Sequence, residues 1–313
     1  MRALGLDTSN YTTSAAVFDG ASGKNMGRLL DVPAGSLGLR QSDALFQHVK
    51  HLPGQIAGLK DGALLDGIAA VGASTRPRAV EGSYMPCFLA GEGQGRALAD
   101  CLGVPFFAVS HQQGHLAAAA FFSGHPELMD APFLAWHLSG GTTELLYVKP
   151  AGKNLSADCI GGTEDISAGQ LIDRTGKLLG LDFPAGKALD GLCATHDKEN
   201  YFTVKTRELS FSLSGMENQA EGLCRQGEKP ENVAFFVLAS IADVVIRVTR
   251  QAQAQYGGLP VLCSGGVSSN TLLRAQLASA CGGLFAPPEY SADNAMGVAI
   301  LAHRLAEGGT SLG

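Results

Sequence analysis

The sequence contains no CxxC pair and only seven cysteines in 313 residues, at positions 87, 101, 159, 193, 224, 263 and 281. An odd number of cysteines without metal-type spacing argues against a disulfide framework and against a structural zinc knuckle. This usage fits a reducing compartment. We therefore expect the protein to be cytoplasmic.

Long apolar runs and an excess of basic charge are also absent. No apolar run reaches about 18 residues, so we expect no membrane-spanning helix, and the N-terminal segment lacks the apolar core of a signal peptide. The net charge of −6 excludes a basic surface over the whole chain. An RNA substrate would therefore need a local basic patch or a partner protein.

Hydrophobic residues make up 45 % of the chain, which excludes wholesale disorder. Strands and helices are predicted to alternate, which is typical of an α/β fold. A strand, a polar turn and a returning strand occupy residues 3–20, and the same order recurs over residues 133–148. This echo predicts two related lobes. The N-terminal lobe is expected to comprise residues 1–118 with 291–313, and the second lobe residues 119–290.

Local signals predict three helix limits. Ser42 is a candidate N-cap and Pro53 a stop signal, which predicts a helix between them. The glycine-rich stretch Gly91–Gly93 predicts that the next helix begins at Gln94. A later helix is predicted to begin near Glu164.

The first candidate site is a pair of histidines, His111 and His115, in the run HQQGH. Residues four apart lie on one face of a helix, and this spacing suits two ligands of one metal ion. The alternative is two partly buried histidines that satisfy local hydrogen bonds. Gln112 stands where a zincin protease has its general-base glutamate, which disfavours proteolysis. The best candidate for a third ligand is Asp293, before a predicted helix.

The second candidate site consists of two glycine turns, Ser139–Thr142 and Ser264–Asn270, each of which follows an apolar strand. Glycine lets backbone N–H groups approach a phosphate without a Cβ in the way. Neither turn has the pattern of a Walker loop or of a GxGxxG fingerprint.

Two further segments allow more than one interpretation. Asp173, followed by Gly186 and Asp190, could accept hydrogen bonds from ribose hydroxyls, or it could belong to a solvated helix face. The segment Ser210–Gly215 alternates polar and apolar residues, which predicts an edge strand.

Taken in chain order, these segments resemble the TsaD family, also called glycoprotease-like. The resemblance implies the two-lobed fold of actin, heat-shock ATPases and sugar kinases, with duplicated RNase H-like domains. The matching segments are Gly5–Ser9, His111–His115, Leu138–Thr143, Asp165–Arg174 with Pro184 and Gly186, Ser210–Gly215, Gly265–Arg274 and Ala292–Met296.

The family resemblance also implies a function and its residues. Such proteins transfer threonylcarbamoyl from threonylcarbamoyl-AMP to the adenosine 3′ of the tRNA anticodon, with TsaB-like and TsaE-like partners. One iron or zinc ion would be held by His111, His115 and Asp293, and catalysis would involve Asp7 and Ser9. Threonylcarbamoyl-AMP, or ATP or AMP, would be bound by Ser139, Gly140, Gly141, Thr142, Asp173, Gly186, Asp190 and Asn270. No membrane is implied, and a homodimer is compatible with the resemblance.

The sequence departs from the family pattern mostly where acids are usual. The changed positions are Tyr11, Thr12, Arg76–Ala79 in place of G-P-G-L, Gln113 in place of glutamate, Thr142 in place of histidine, Ile166 and Gln170. These losses suggest a divergent paralogue. Two alternatives to the transferase are therefore a scaffold that binds nucleotide and metal without turnover, and an ATPase or kinase with Asp7 as its base. Arg76, Arg78, Arg247 and Arg250 are candidates for a local basic patch.

Overall fold

The computed structural model describes residues 1–9, 11–32, 39–60, 64–291 and 294–309. The strands are β1 (Arg2–Asp7), β2 (Thr12–Phe18), β3 (Gly23–Leu29), β4 (Ile68–Arg76), β5 (Phe106–Ser110), β6 (Phe133–Leu138), β7 (Thr143–Ala151), β8 (Asn154–Thr163), β9 (Thr206–Arg207), β10 (Ser210–Phe211), β11 (Val261–Ser264) and β12 (Gly283–Phe285).

The α-helices are α1 (Gln41–Lys60), α2 (Phe88–Leu102), α3 (His111–Phe122), α4 (Ala168–Leu178), α5 (Gly186–Cys193), α6 (Ser214–Arg225), α7 (Pro230–Gln255), α8 (Thr271–Cys281), α9 (Pro288–Ser291) and α10 (Met296–Glu307). Short 3-10 helices occupy Pro126–Asp130 and Gly266–Ser269.

The chain divides into two compact units. Unit 1 comprises Met1–Ala131, Lys149–Ala157 and Ala292–Gly313, and unit 2 comprises Pro132–Val148 and Asp158–Ser291. The predicted lobe limit at residue 118 falls inside α3, which runs unbroken to Phe122. The division therefore comes after the helix has ended.

Unit 1 is built on a sheet with the strand order β3-β2-β1-β4-β5. Strands β1, β4 and β5 are parallel, whereas β2 and β3 are antiparallel to their neighbours. The carboxyl ends of parallel strands meet at one edge of a sheet. This edge carries Asp7 at the end of β1, Arg76 at the end of β4, and Ser110 at the end of β5.

Unit 2 is built on a sheet with the order β12-β11-β6-β7-β8-β10-β9. Helix α7 is long and apolar enough to cross a membrane, and 83 % of its most apolar window is buried inside the protein. Such burial is that of a core helix. Within this core the indole of Trp136 donates a hydrogen bond of 2.8 Å to Thr249 Oγ1 of α7.

Two of the predicted helix limits in unit 1 were wrong. Helix α1 continues through Pro53 to Lys60, because Leu52 and Leu59 lie on the same face and are both fully buried. That burial outweighs the loss of a backbone donor at proline. Helix α2 begins at Phe88 and contains Gly91, whose backbone N–H donates to Thr8 Oγ1 (3.1 Å).

Two predictions in unit 2 were also wrong. Helix α4 begins at Ala168 rather than near Glu164, because the Ser167 hydroxyl caps it by accepting a hydrogen bond from Gln170 N. In the segment Ser210–Gly215, only Ser210 and Phe211 form a strand. That strand, β10, pairs with β8 and with β9, so it is not an edge strand.

Candidate functional site

The candidate site of unit 1 forms at the sheet edge where the parallel strands β1, β4 and β5 end, with β4 between the other two. Helix α3 begins directly after β5, so His111 is its first residue. Ser110 caps this helix: its hydroxyl accepts from Gln113 N, and its own N–H donates to Gln113 Oε1 (2.7 Å). Such a capping box fixes the first turn of a helix. The cap therefore fixes the position of His111.

A buried carboxylate orients the first histidine. Asp7 is only 1 % exposed, and its Oδ1 accepts a hydrogen bond of 2.7 Å from Ser9 N. Its Oδ2 lies 2.8 Å from His111 Nδ1. Burial alone would raise the pKa of Asp7, but the interactions with His111 and Ser9 lower it below its usual value. An ionised carboxylate only accepts hydrogen bonds, so His111 Nδ1 carries the proton.

The second histidine faces the first. His111 Nε2 and His115 Nε2 are 2.9 Å apart, which is a hydrogen-bond distance. Because His111 is protonated on Nδ1, its Nε2 accepts this hydrogen bond from His115 Nε2. The described residues therefore show the alternative of two histidines that satisfy local hydrogen bonds. The two Nε2 atoms also converge on one place, and imidazole nitrogens are ligands that zinc and iron accept, so the chemistry of the pair fits a metal ion.

The predicted third ligand, Asp293, lies outside the residues that the structure describes. Within the described ranges, no group of three histidine, cysteine, aspartate or glutamate side chains has the arrangement of a metal site. The described part of the site is thus the histidine pair with Asp7 behind it. Ser9 lies beside this carboxylate, and its Oγ is buried with no hydrogen-bond partner among the described residues.

Gln113 lies between the two histidines in sequence, yet its amide is used elsewhere. Its Oε1 accepts from Ser110 N, and its Nε2 donates to Leu155 O (2.6 Å). The glutamine is thus a structural residue that fixes the start of α3. Both ends of the amide are bound to backbone, at Ser110 N and Leu155 O.

The candidate site of unit 2 is the turn Ser139–Thr142 at the N-terminus of α4. Ser139 N donates to Thr142 O (2.8 Å), and the hydroxyl of Ser167, the N-cap of α4, donates to Gly140 O (2.7 Å). A Cβ on Gly169 would lie 2.5 Å from Gly140 Cα, so this close approach requires glycine. Helix α4 is therefore packed directly on the turn.

The backbone of this turn is open on its outer side. Gly140 and Gly141 are exposed, and a Cβ on either would meet no atom within 4 Å. Exposed backbone next to a helix N-terminus is a favourable place for an anion. The second glycine turn differs, because Gly265 has φ of +90° and the residues after it form a 3-10 helix.

The structure groups the other predicted ligands into two pairs. Asp173 Oδ1 accepts from Ala185 N (2.9 Å), which places it next to Gly186. Asp190 Oδ1 accepts from Asn270 Nδ2 (2.7 Å). Asn270 also caps α8 by accepting from Leu273 N. Each of these carboxylates therefore already binds a neighbouring segment.

Asp165 was placed in a motif by the sequence but given no role. Its carboxylate accepts hydrogen bonds from Leu213 N (2.8 Å), Ser214 N (3.2 Å) and the hydroxyl of Ser212. Burial alone would raise the pKa of Asp165, but these hydrogen bonds lower it well below its usual value. Asp165 therefore joins the loop before α4 to the start of α6. The alternating serines of Ser210–Gly215 were the sequence signal that could have indicated this partner of Asp165.

The four arginines of the expected basic patch belong to different units. Arg76 and Arg78 are exposed in unit 1. In unit 2, Arg247 donates to Asp243 and to Val204 O, and Arg250 contacts Ala280 O. The latter two thus connect α7 to its neighbours.

Known proteins resemble this chain in sequence and in fold. The family model TsaD, described as tRNA N6-adenosine threonylcarbamoyltransferase, matches residues 67–300. Full-length HypF in its phosphate- and nucleotide-bound form has a TM-score of 0.66 and 13 % identity over 97 % of this chain and 47 % of that chain.

A second solved structure matches this chain over almost the whole length of each of the two proteins. It is component A of (R)-2-hydroxyglutaryl-CoA dehydratase from Acidaminococcus fermentans, with a TM-score of 0.57 and 14 % identity over 99 % of this chain and 100 % of that chain. At such identities the likeness concerns the fold alone. It confirms the predicted α/β fold of the actin, heat-shock ATPase and sugar kinase class.

Proposed function

The chain belongs to the TsaD family, and from this membership we propose that it transfers threonylcarbamoyl from threonylcarbamoyl-AMP to the adenosine 3′ of the tRNA anticodon. The observation that carries this proposal is the histidine pair of unit 1. Its two Nε2 atoms are 2.9 Å apart, and a buried carboxylate sets the tautomer of His111.

In this proposal, His111, His115 and Asp293 hold one divalent ion, iron or zinc. When bound, the ion supplies Lewis acidity at the carbamoyl or threonyl oxygens. Asp7 would bind the ligand His111 rather than the ion. Its hydrogen bond keeps His111 Nδ1 protonated and holds the ring in place. Ser9 Oγ has no partner among the described residues and is a hydrogen-bonding group available to the transferred group.

The nucleotide is assigned to unit 2. The exposed backbone of Gly140 and Gly141 binds phosphate, supported by the N-terminus of α4. Asp173 with Gly186, and Asp190 with Asn270, contribute to holding the adenosine. The bound nucleotide is threonylcarbamoyl-AMP, or ATP or AMP in the resting protein.

The transfer exchanges one bond for another. The exocyclic nitrogen of adenosine forms a bond to the carbamoyl carbon and releases a proton. The bond from that carbon to the phosphate oxygen breaks, so AMP leaves with the electron pair. Backbone donors at the glycine turn stabilise the negative charge on the departing phosphate.

Partner proteins remain part of the proposal. With a net charge of −6, the chain needs help to bind tRNA. Helix α1 exposes Phe46 and Val49, which are 67 % and 50 % exposed and three residues apart. Such an apolar stripe suits packing against a partner helix, and a TsaB-like protein is our candidate. A TsaE-like partner, a homodimer and a cytoplasmic location stay predictions.

The geometry disfavours one alternative and leaves another to experiment. An ATPase or kinase would need Asp7 as a base, but both oxygens of Asp7 are engaged with Ser9 and His111. A paralogue that binds metal and nucleotide without transfer is favoured by the loss of acids at Tyr11 and Thr12.

A transfer assay tests the proposal. The purified chain, threonylcarbamoyl-AMP and unmodified tRNA are incubated with and without TsaB- and TsaE-like partners, and the nucleosides are analysed by mass spectrometry. We expect modified adenosine that disappears in the double variant His111→Ala/His115→Ala. The matched control is His125→Ala, because His125 is exposed and pairs with Glu127 instead.

The assay also separates the paralogue from the transferase. A standard TsaD protein runs beside the chain with the same partners and tRNA. If it modifies tRNA while this chain does not, the transferase proposal is wrong. Metal content and AMP binding then test the scaffold alternative directly.

A further inference from the structure

We propose that the segment over residues 76–86, here called the rim loop, binds single-stranded RNA next to the histidine pair. Arg76 and Arg78 would contact phosphates and Tyr84 would stack on a base. The inference rests on the proposed function for the identity of the RNA, the anticodon loop of tRNA. The main observation in support of this inference is that both ends of the rim loop are attached to the residues that surround His111.

The first attachment is at the start of the loop. In the pairing of β4 with β5, Arg76 lies opposite Ser110, the residue directly before His111. One residue further along, Pro77 O accepts a hydrogen bond of 3.0 Å from Gln112 N. The loop therefore leaves the sheet beside the first turn of α3.

The second attachment is at the end of the loop. Cys87 O accepts a hydrogen bond of 3.0 Å from Thr8 Oγ1, and Thr8 directly follows Asp7. The ring of Phe88 lies 6.3 Å from the ring of His111. The loop thus returns to the same site that it left, and both of its ends border that site.

Hydrogen bonds inside the rim loop give it a defined shape. Arg78 N donates to Ser83 Oγ (3.0 Å), and Ser83 N donates to Val80 O (3.3 Å). This turn leaves Tyr84 62 % exposed and Val80 54 % exposed. A large ring and an aliphatic side chain are therefore held in solvent by a closed turn.

The chemistry of the exposed residues favours RNA over a protein partner. Arg76 and Arg78 are exposed and supply two positive charges, against one acid in the loop, Glu81. Exposed aromatic rings next to cations are the usual platform for unpaired bases and their phosphates. A substrate adenosine in an unpaired loop must be splayed out to react. Its neighbouring nucleotides then meet the border of the site.

The test measures RNA binding directly. Fluorescence anisotropy follows a labelled anticodon stem–loop RNA titrated with the full chain, alone and with a TsaB-like partner, at several salt concentrations. The variants are Arg76→Ala/Arg78→Ala, Tyr84→Ala and Tyr84→Phe. The matched control is Lys24→Ala/Arg28→Ala, two exposed cations on β3 of the same unit.

Each variant has its own expected signature. The variant Arg76→Ala/Arg78→Ala should lose two phosphate contacts. The negative slope of log K against log salt should therefore become less steep by about 1.4, at roughly 0.7 per contact for single strands. Tyr84→Ala should weaken binding about tenfold, whereas Tyr84→Phe should retain it, because stacking needs the ring and not the hydroxyl. The control should bind like the original chain.

The outcomes separate the inference from the proposed function. If RNA binding weakens as expected but no adenosine is modified, the inference about the rim loop is supported and the transferase proposal is wrong. If neither the chain nor its complex binds the RNA, or if the rim-loop variants bind it like the control, the inference is overturned. Weakened binding of the TsaB-like partner with unchanged RNA binding also overturns it, because the loop would then be a protein contact.

Discussion

The two units hold their candidate site residues by different means. In unit 1 the site consists of side chains, and a buried carboxylate fixes one of them through a hydrogen bond of 2.8 Å. In unit 2 the proposed phosphate site consists of exposed backbone at Gly140 and Gly141. There the acidic side chains bind neighbouring segments, as Asp165 does with Leu213 and Ser214.

This difference predicts which substitutions matter in each unit. Where side chains form the site, removing one functional group changes ligand affinity while the fold persists. Where backbone forms the site, only a change that moves the backbone alters it. A methyl group added at a close approach is therefore the sharpest probe of unit 2, and an isosteric change of one carboxylate is the sharpest probe of unit 1.

The largest effect is expected for Gly169→Ala. The new methyl would lie 2.5 Å from Gly140 Cα and from Ser139 O, which are backbone atoms that cannot turn aside. We expect a loss of about 3 kcal/mol in the free energy of unfolding, at the upper end of the usual cost of overpacking. Urea unfolding measures it, and AMP titration should show weakened binding because the turn must move.

The control for this substitution is Gly191→Ala on α5. A Cβ there meets no atom within 4 Å. Alanine should leave AMP binding unchanged and stabilise the helix by up to about 1 kcal/mol. Equal effects of the two variants would show that Gly169 does not hold the turn in place.

The next effect is expected for Asp7→Asn in unit 1. Loss of the carboxylate removes the charge that fixes the His111 tautomer, and such changes lower metal affinity about 10- to 100-fold. Competition with a chromophoric chelator measures the affinity for zinc. Nitrogen NMR of the histidines should show that the tautomer of His111 with a proton on Nδ1 is no longer the predominant one.

Asp100→Asn provides the matched control, since Asp100 is exposed on α2. It should leave zinc affinity unchanged. If Asp7→Asn binds zinc as tightly as the original chain, while unfolding normally, the orienting role of Asp7 is refuted.

The residues of the candidate sites were readable from sequence where their spacing is local. His111 and His115 are four apart and lie on one helix, so their closeness follows from helix geometry. The strands on either side of the turn Ser139–Thr142 were likewise predicted, because an apolar segment precedes the glycine turn and the order of strand, turn and strand repeats that of residues 3–20. Such signals need no knowledge of the rest of the fold.

Contacts between segments that are distant in the chain could not be predicted from the sequence. Asp7 and His111 are 104 positions apart and meet because β1 and β5 end at the same edge of one sheet. Asp165 and Leu213 are 48 positions apart. The continuation of α1 through Pro53 depends on burial of Leu59. Each of these results from packing between elements rather than from local residue preference.

The smallest effect compares the same substitution in the two units. Gln113 and Gln170 occupy equivalent positions in the capping boxes of α3 and α4. Only Gln113 also donates its Nε2 to a carbonyl oxygen, that of Leu155, at 2.6 Å. In Gln113→Glu an ionised carboxylate would face that oxygen, and we expect a loss of about 1–2 kcal/mol in unfolding free energy at neutral pH.

The loss should depend on pH with a definite sign. The buried carboxyl would have a pKa above its unfolded value of about 4.3, so the cost is present at neutral pH and disappears as pH falls below that value. A protonated carboxyl can donate to Leu155 O as the amide does. Gln170→Glu should be neutral or slightly stabilising, because an acid at an exposed helix N-terminus is favourable. Urea unfolding at neutral and acidic pH decides the matter. A similar, pH-independent effect at both positions would mean that the contact with Leu155 contributes nothing to holding His111 in place.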